Sequence, residues 1–248
     1  ILSNNYICHL LVMQRELMQE LEFRSSVDGA QDHDIILRAV DRMMGEDRHA
    51  AGKAKLPVAH IPKVMYHWRC YEGSTSENPE SNRYAYEAGK RAVEDFLKAR
   101  EYQADVVHTC HLGFFRVNYQ PDLLSNRPDV AVVGGKLIDR HNRVVGGIYN
   151  ENREPLYLGL HREYSGYMHR ASCQQEAYAV DVRCMICSGE AQTVWEELTG
   201  LPYAVQPHTG YFLYQDVLKK DADYEELSFR FCEELRRRGK RIVWDPEM

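Results

Sequence analysis

The sequence predicts an α/β protein. Short apolar runs rich in β-branched residues alternate with amphipathic helical segments along all 248 residues, and this alternation is typical of the α/β class. The contents of 44% hydrophobic and 27% charged residues lie in the range of globular proteins. The net charge of -6 supplies no basic surface of the kind that nucleic-acid binding requires, so no nucleic-acid partner is expected.

Five elements are predicted in the first hundred residues. Ile36, Val40 and Met43 recur at helical spacing on one face, and Pro62 disfavours a central strand around it. We expect strands over 6–13 and in the first part of 58–69, and helices over 14–23, 32–44 and 79–100.

The second half begins with an expected hairpin over 105–119, which turns at Gly113. A long Tyr-rich segment from Tyr149 to His169 is expected to be an ordered loop, and such long loops are uncommon unless functional. Further strands are expected at 130–133, 136–138, 144–147, 177–187 and 241–244, and helices at 191–198 and 225–238.

The two halves repeat one order of elements. In each, an apolar strand and a helix are followed by an irregular stretch, an acidic helix start and another strand. We therefore predict two copies of one half-fold at 1–104 and 128–248, joined by a connecting hairpin and linker at 105–127. The start at Ile1, with no initiator Met, predicts that the sequence is a piece of a longer protein.

The cysteines and the hydropathy indicate a cellular compartment. Seven cysteines without a framework spacing predict reduced thiols in the cytosol. Cys184 and Cys187 form a CxxC pair with no second pair to complete a zinc site. No apolar run approaches the ~20 residues that span a bilayer. We expect a cytoplasmic protein, and a peripheral association with the inner face of the membrane stays open.

Three sequence blocks resemble a known enzyme family. The segments at 28–38 (DGAQDHDIILR), 60–69 (HIPKVMYHWR) and 73–75 (GST) resemble the C-terminal half of family 2 inverting glycosyltransferases, which have the GT-A fold. The segment PDVAVVGGKL at 128–137 is similar to a strand of the same family. The resemblance covers nearly all of the chain, strongly over 1–110 and moderately after 128.

The resemblance implies a fold and a reaction. The fold would be a GT-A-like mixed sheet with flanking helices, and the reaction would be the extension of a bacterial cell-surface polysaccharide. The partners would be a nucleotide-sugar donor and a glycan acceptor.

The acidic helix starts supply the catalytic candidates that the resemblance implies. Asp32 corresponds to the carboxylate that takes the proton from the acceptor hydroxyl. A helix N-terminus favours an ionised carboxylate, although helix capping alone would also explain Asp32. Asp34 is expected to orient Asp32 or Arg38, and Arg38 is a candidate for substrate binding. Glu226 is the corresponding acid of the second half.

The segment around Trp68 supplies the substrate-binding candidates. By resemblance, His67, Trp68 and Arg69 belong to the part that binds the donor. His67 and Arg69 would neutralise the leaving diphosphate, and His67 is the candidate metal ligand. For a single His, a structural role is as well supported by the sequence as a functional one.

The chain also departs from the family pattern. The resemblance implies Mn or Mg held by an Asp-x-Asp motif at a strand end, and no such motif is present. Asp221-Ala222-Asp223 has the letters but no preceding apolar strand. Both donor-binding halves are absent from the sequence, so the GT-A-like fold would be incomplete. Ser228 stands where a second acidic residue usually falls, which makes the second half the poorer candidate for activity.

Two other functions remain to be weighed. The chain could be a non-catalytic carbohydrate-binding or scaffold module, because the tyrosines between Tyr149 and Tyr167 could stack on sugar rings. Core packing explains the same tyrosines equally well. An oxidoreductase is poorly supported, because the Gly134-Gly135 and Gly146-Gly147 pairs do not form the GxGxxG that opens a helix.

Overall fold

The computed structural model describes residues 1–7, 10–45, 57–67, 82–203 and 223–248. It confirms the predicted α/β class, since helices combine with small mixed sheets. The chain divides into two compact units, with the boundary between Asp122 and Leu123. The division into two related half-modules stays a prediction.

The first unit is built on two long helices. α2 and α3 pack together and bury Leu37 and Val93, and α3 also contacts the hairpin of β1 and β2, which confirms the predicted antiparallel pair. The elements are α1 (Arg15–Leu21), a 3-10 turn (Ser25–Val27), α2 (Gln31–Met44), α3 (Arg83–Ala99), β1 (Ala104–His108) and β2 (Phe115–Tyr119).

Two predicted strands of the first half are wrong. The described residues of 6–13 and of 58–67 contain no strand, while Cys8 and His9 lie outside the description. Val12 is 84% exposed and Val64 is 81% exposed. An apolar run forms a strand only when a neighbouring strand accepts its backbone hydrogen bonds, and no described segment pairs with either run.

The second unit contains a four-stranded mixed sheet in the order β7-β10-β3-β9. β3 and β10 are parallel, and every residue of β3 is buried. The elements are α4 (Leu123–Asn126), β3 (Val130–Gly134), β4 (Leu137–Ile138), β5 (Val144–Gly146), β6 (Ile148–Tyr149), a 3-10 segment (Tyr167–Ser172), β7 (Gln175–Glu176), β8 (Ala179–Val180), β9 (Met185–Cys187), α5 (Gly189–Thr199), α6 (Tyr224–Arg237) and β10 (Arg241–Trp244).

Aromatic side chains fill the core of the second unit. Trp195 of α5 packs edge-on against Phe231 of α6 with ring centroids 5.8 Å apart, and both are fully buried. Trp244 of β10 is also fully buried, and its indole Nε1 donates to the Gly135 carbonyl at 3.0 Å. The predicted helices over 191–198 and 225–238 and the final strand are thereby confirmed.

The predicted strand over 177–187 is broken in the middle. β8 ends at Val180 and β9 begins at Met185, and the chain turns between them, where the Cys184 amide donates to the Asp181 carbonyl at 3.1 Å. The mostly apolar composition of 177–187 gives no sign of this turn, so the sequence predicts one continuous strand. In the described part of the chain, no helix is long and apolar enough to cross a membrane.

Candidate functional site

Asp32 lies in the first turn of α2, as the sequence predicts. The side-chain amide of Asn5 donates to Asp32 Oδ2 at 2.9 Å, and the backbone N–H of His33 donates to Oδ1 at 2.9 Å. Asp32 is partly exposed, whereas His33 beside it is buried. The carboxylate therefore has a fixed orientation and keeps access to solvent.

Asp34 lies beneath this position and is only 1% exposed. Its carboxylate accepts hydrogen bonds from Arg24 and from Arg38, whose Nε lies 2.8 Å from Oδ2. The bond to Asp34 raises the pKa of Arg24. Arg38 also donates to the backbone carbonyl of Glu22 at 2.6 Å, which ties the segment after α1 to α2. Asp34 therefore contacts Arg38 directly, and the roles expected for both residues stay predictions.

Contacts from other elements of the first unit fix the start of α2. Arg24 also forms an ion pair with Asp95 of α3 at 3.0 Å. His33 packs in parallel against Phe115 with ring centroids 6.2 Å apart, and its Nε2 lies 3.0 Å from the Ile1 carbonyl oxygen. Burial lowers the pKa of His33 and favours its neutral form. These contacts fix the first turn of α2, from which Asp32 projects.

The donor-binding candidates are only partly visible. His67 is exposed, and among the described residues no hydrogen bond joins it to Asp32. Trp68 and Arg69 lie outside the described residues, as do Asp221 and Ala222 of the Asp-x-Asp letters. In the described ranges, no three His, Cys, Asp or Glu side chains are grouped so that they could hold a metal ion.

Glu226 lies in the first turn of α6 and is engaged by an arginine. Arg153 Nη1 donates to Glu226 Oε2 at 3.2 Å, and Arg153 Nη2 donates to Glu233 Oε1 at 2.8 Å. The guanidinium also lies over the ring of Phe229, 4.7 Å from its centroid. Glu226 therefore already has a cationic partner from its own unit, whereas among the described residues no arginine or lysine forms an ion pair with Asp32.

Ser228 stands at the position where the resemblance leads us to expect a second acidic residue. It is fully buried, its hydroxyl donates to the Tyr224 carbonyl at 2.6 Å and accepts from the Val182 amide at 3.0 Å. Asp34 holds the corresponding position in the acidic helix start of the first unit, and it is buried between two arginines. A hydroxyl at Ser228 satisfies the backbone without needing such cations.

The second unit contains a buried ionic cluster that the sequence did not predict. Asp181 is fully buried and accepts from Arg183 Nη2 at 2.7 Å, from Arg183 Nε at 2.9 Å and from the Tyr149 hydroxyl at 3.1 Å. Burial, followed by the nearby Asp181 charge, raises the pKa of Tyr149. The signal in the sequence is the pair of charges in an otherwise apolar run, AYAVDVRCMIC.

Comparison with known proteins gives two relatives. An uncharacterized protein, y4gI of Sinorhizobium fredii, is 39% identical over 94 residues, which are 38% of this chain and 9% of that protein. The O-antigen biosynthesis protein RfbC of Myxococcus xanthus is 26% identical over 132 residues, which are 53% of this chain and 9% of that protein. The chain thus spans less than a tenth of the length of these relatives. No protein-family model and no solved structure matches the chain.

Proposed function

We propose that this chain is part of an inverting, sugar-nucleotide-dependent glycosyltransferase that builds a cell-surface polysaccharide. The similarity to an O-antigen biosynthesis protein supports the pathway, and the resemblance at 28–38 and 60–69 supports the enzyme class and the GT-A-like fold. The observation that carries the proposal is the state of Asp32, a partly exposed carboxylate fixed at a helix start by Asn5.

Asp32 would act as the general base. Its carboxylate accepts the proton of an acceptor hydroxyl while the hydroxyl oxygen attacks the anomeric carbon of the donor. The bond from that carbon to the nucleoside diphosphate breaks, and the diphosphate leaves with the electron pair. Geometry is the first requirement of a general base, and the two hydrogen bonds from Asn5 and His33 supply it.

Asp34 and Arg38 would act indirectly. The Asp34 carboxylate is enclosed and its bonds go to arginines, so it would position Arg38 and the start of α2. A direct catalytic role of Asp34 and substrate binding by Arg38 stay predictions. In the second unit, the Arg153 contact argues that Glu226 is the weaker candidate base.

Binding of the donor is proposed from the resemblance at 60–69. By resemblance, His67, Trp68 and Arg69 would contact the donor, and His67 would ligate Mn or Mg. Such a metal would neutralise charge on the leaving diphosphate when bound. We propose a nucleotide-sugar donor and a glycan acceptor as the partners. We also propose a cytoplasmic location at the inner face of the membrane.

The proposal can be tested with the chain itself. Incubation with UDP-, GDP- and dTDP-sugars plus Mn should release nucleoside diphosphate, and Asp32→Asn should abolish the release while donor binding remains. Asp105→Asn is a matched control, because it removes an exposed carboxylate of β1 in the same unit. Release that is equal in the chain and in Asp32→Asn would contradict the role of Asp32.

A carbohydrate-binding module is the second candidate function. Tyr164 is 59% exposed and lies just before the 3-10 segment Tyr167–Ser172, and Tyr167 at the start of that segment is 88% exposed. Exposed aromatic faces can stack on sugar rings. A binding module would retain glycan after Asp32→Asn and lose it after Tyr167→Ala. Release of nucleoside diphosphate that is lost in Asp32→Asn would support the glycosyltransferase over the binding module.

A further inference from the structure

The guanidinium of Arg183 is held by one of its edges. Arg183 Nε and Nη2 donate to the two oxygens of Asp181 at 2.9 and 2.7 Å. An arginine has five N–H bonds in a planar fork, and this side-on pair uses two of them. The edge formed by Nη1 and the second Nη2 hydrogen is therefore left for another acceptor.

Asp181 determines where that edge points. Its side chain is fully buried, and it also accepts from the Arg183 backbone amide at 2.9 Å and from the Tyr149 hydroxyl at 3.1 Å. Burying a carboxylate is costly even when it is paired. A carboxylate that is saturated and immobile behind an arginine is the arrangement that preorganises a binding group.

The Arg183 side chain is partly accessible to solvent. The Arg183 side chain is 37% exposed, and its guanidinium lies 5.3 Å from the ring centroid of Tyr224, which limits its rotation. Among the described residues, none accepts a hydrogen bond from Nη1.

We propose that Arg183 is the recognition residue of an oxyanion site in the second unit, which takes a phosphate or carboxylate group on the edge that Asp181 leaves. Arginine suits such groups because its fork matches two oxygens at once. Two sources share this chemistry, the diphosphate of a nucleotide and the carboxylate of an acidic sugar.

The surrounding charges set the expected strength of binding. Asp181 and Arg183 together are neutral, and Glu226 in the first turn of α6 is already paired with Arg153. Glu225 is exposed, so its repulsion is screened by salt. We therefore expect modest affinity that depends on the geometry of the fork. The proposal uses the second unit alone and does not depend on transferase activity.

The test is calorimetric titration of the chain with inorganic pyrophosphate and, separately, with glucuronate at constant ionic strength. Saturable binding of pyrophosphate would identify a phosphate source, and binding of glucuronate would identify an acidic sugar. Arg183→Lys keeps a cation beside Asp181 but lacks the fork, and should weaken binding by about tenfold or more. Arg230→Gln, on the exposed face of α6, should leave binding unchanged.

Two results would overturn the site. One is the absence of saturable binding for both probes, and the other is equal affinity of the chain and Arg183→Lys. If Arg183→Lys does not fold, as thermal unfolding would show, modification of Arg183 by phenylglyoxal in the native chain decides instead. Saturating pyrophosphate or glucuronate should protect Arg183 from the reagent, and equal modification of Arg183 with and without these probes would count against the proposal.

Discussion

Asn5 and Asp32 are joined by a hydrogen bond of 2.9 Å, although 27 positions separate them in the sequence. The amide donates to Oδ2 of the carboxylate, and the backbone N–H of His33 donates to Oδ1. The segment before α1 thereby fixes the direction of the side chain to which we assign the proton transfer.

Asn5→Ala should reduce the turnover of sugar nucleotide by about tenfold, because one charge-assisted hydrogen bond that orients the base is lost. The KM for the donor should change little, since Asn5 would position the base and not the donor. Steady-state release of nucleoside diphosphate measures both quantities. Asn118→Ala, in β2 of the same unit, serves as the control, and an equal loss there would indicate a general effect on folding.

Asp34→Asn should destabilise the first unit by about 2 kcal/mol, since it removes the charge that pairs with both Arg24 and Arg38. This loss is smaller than the roughly 3–5 kcal/mol for breaking a fully buried pair, because both arginines remain partly exposed. Urea denaturation followed by circular dichroism gives the free energy of unfolding. Glu94→Gln breaks the half-exposed i,i+4 pair with Lys90 and should cost less than about 0.5 kcal/mol.

Asp129→Asn should destabilise the second unit at neutral pH and have less effect in acid. Burial alone would raise the pKa of Asp129, but the hydrogen bonds and charge of Arg127 outweigh it and lower the pKa below its ordinary value. A carboxylate with a lowered folded pKa stabilises the protein above its unfolded pKa and loses that contribution as the pH falls through the folded pKa.

Thermal unfolding of the chain and of Asp129→Asn from neutral pH to below pH 3.8, the ordinary value for Asp, would show this convergence. Glu151→Gln removes an exposed carboxylate of the same unit and should give a small difference from the chain at every pH. A difference for Asp129→Asn that grows as the pH falls would contradict the lowered pKa.

The described cysteines should differ sharply in reactivity. Cys110 is exposed, whereas Cys187 and Cys232 are buried, and burial raises the pKa of Cys232 to about 12. The thiolate is the reactive form. Iodoacetamide at pH 8 should therefore modify Cys110 in the native protein, and Cys187 and Cys232 only after unfolding, as peptide mass spectrometry would show. Rapid native modification of Cys232 would contradict its burial.

Prediction from the sequence succeeded where local patterns and packing agree. The helical spacing of Ile36 and Val40 predicts one face of α2, on which Ile36 is buried and Val40 is half-buried. The apolar run at 130–133 predicts β3, and every residue of β3 is buried. It failed at 6–13 and 58–67, where an apolar run has no strand to pair with among the described residues. A strand needs a partner from elsewhere in the chain, and a sequence pattern does not name that partner.

The candidate site shows the same division. The sequence placed Asp32 and Asp34 together at the start of α2, because neighbours in a first helical turn are set by local geometry. It did not distinguish the half-exposed Asp32 from the enclosed Asp34, nor did it find Asp181. Burial and ion pairing arise from residues that are distant in the sequence.

By itself, the sequence determined the α/β class, the main helices and the positions of the acidic helix starts, because these follow from short-range periodicity and capping. Only the tertiary structure decided which carboxylates are paired and which remain accessible. Arg24 reaches Asp34 from outside α2, Arg153 reaches Glu226 across 73 positions, and Asn5 reaches Asp32 from the N-terminal segment. These contacts depend on how the chain packs, and packing brings together side chains that no local pattern connects.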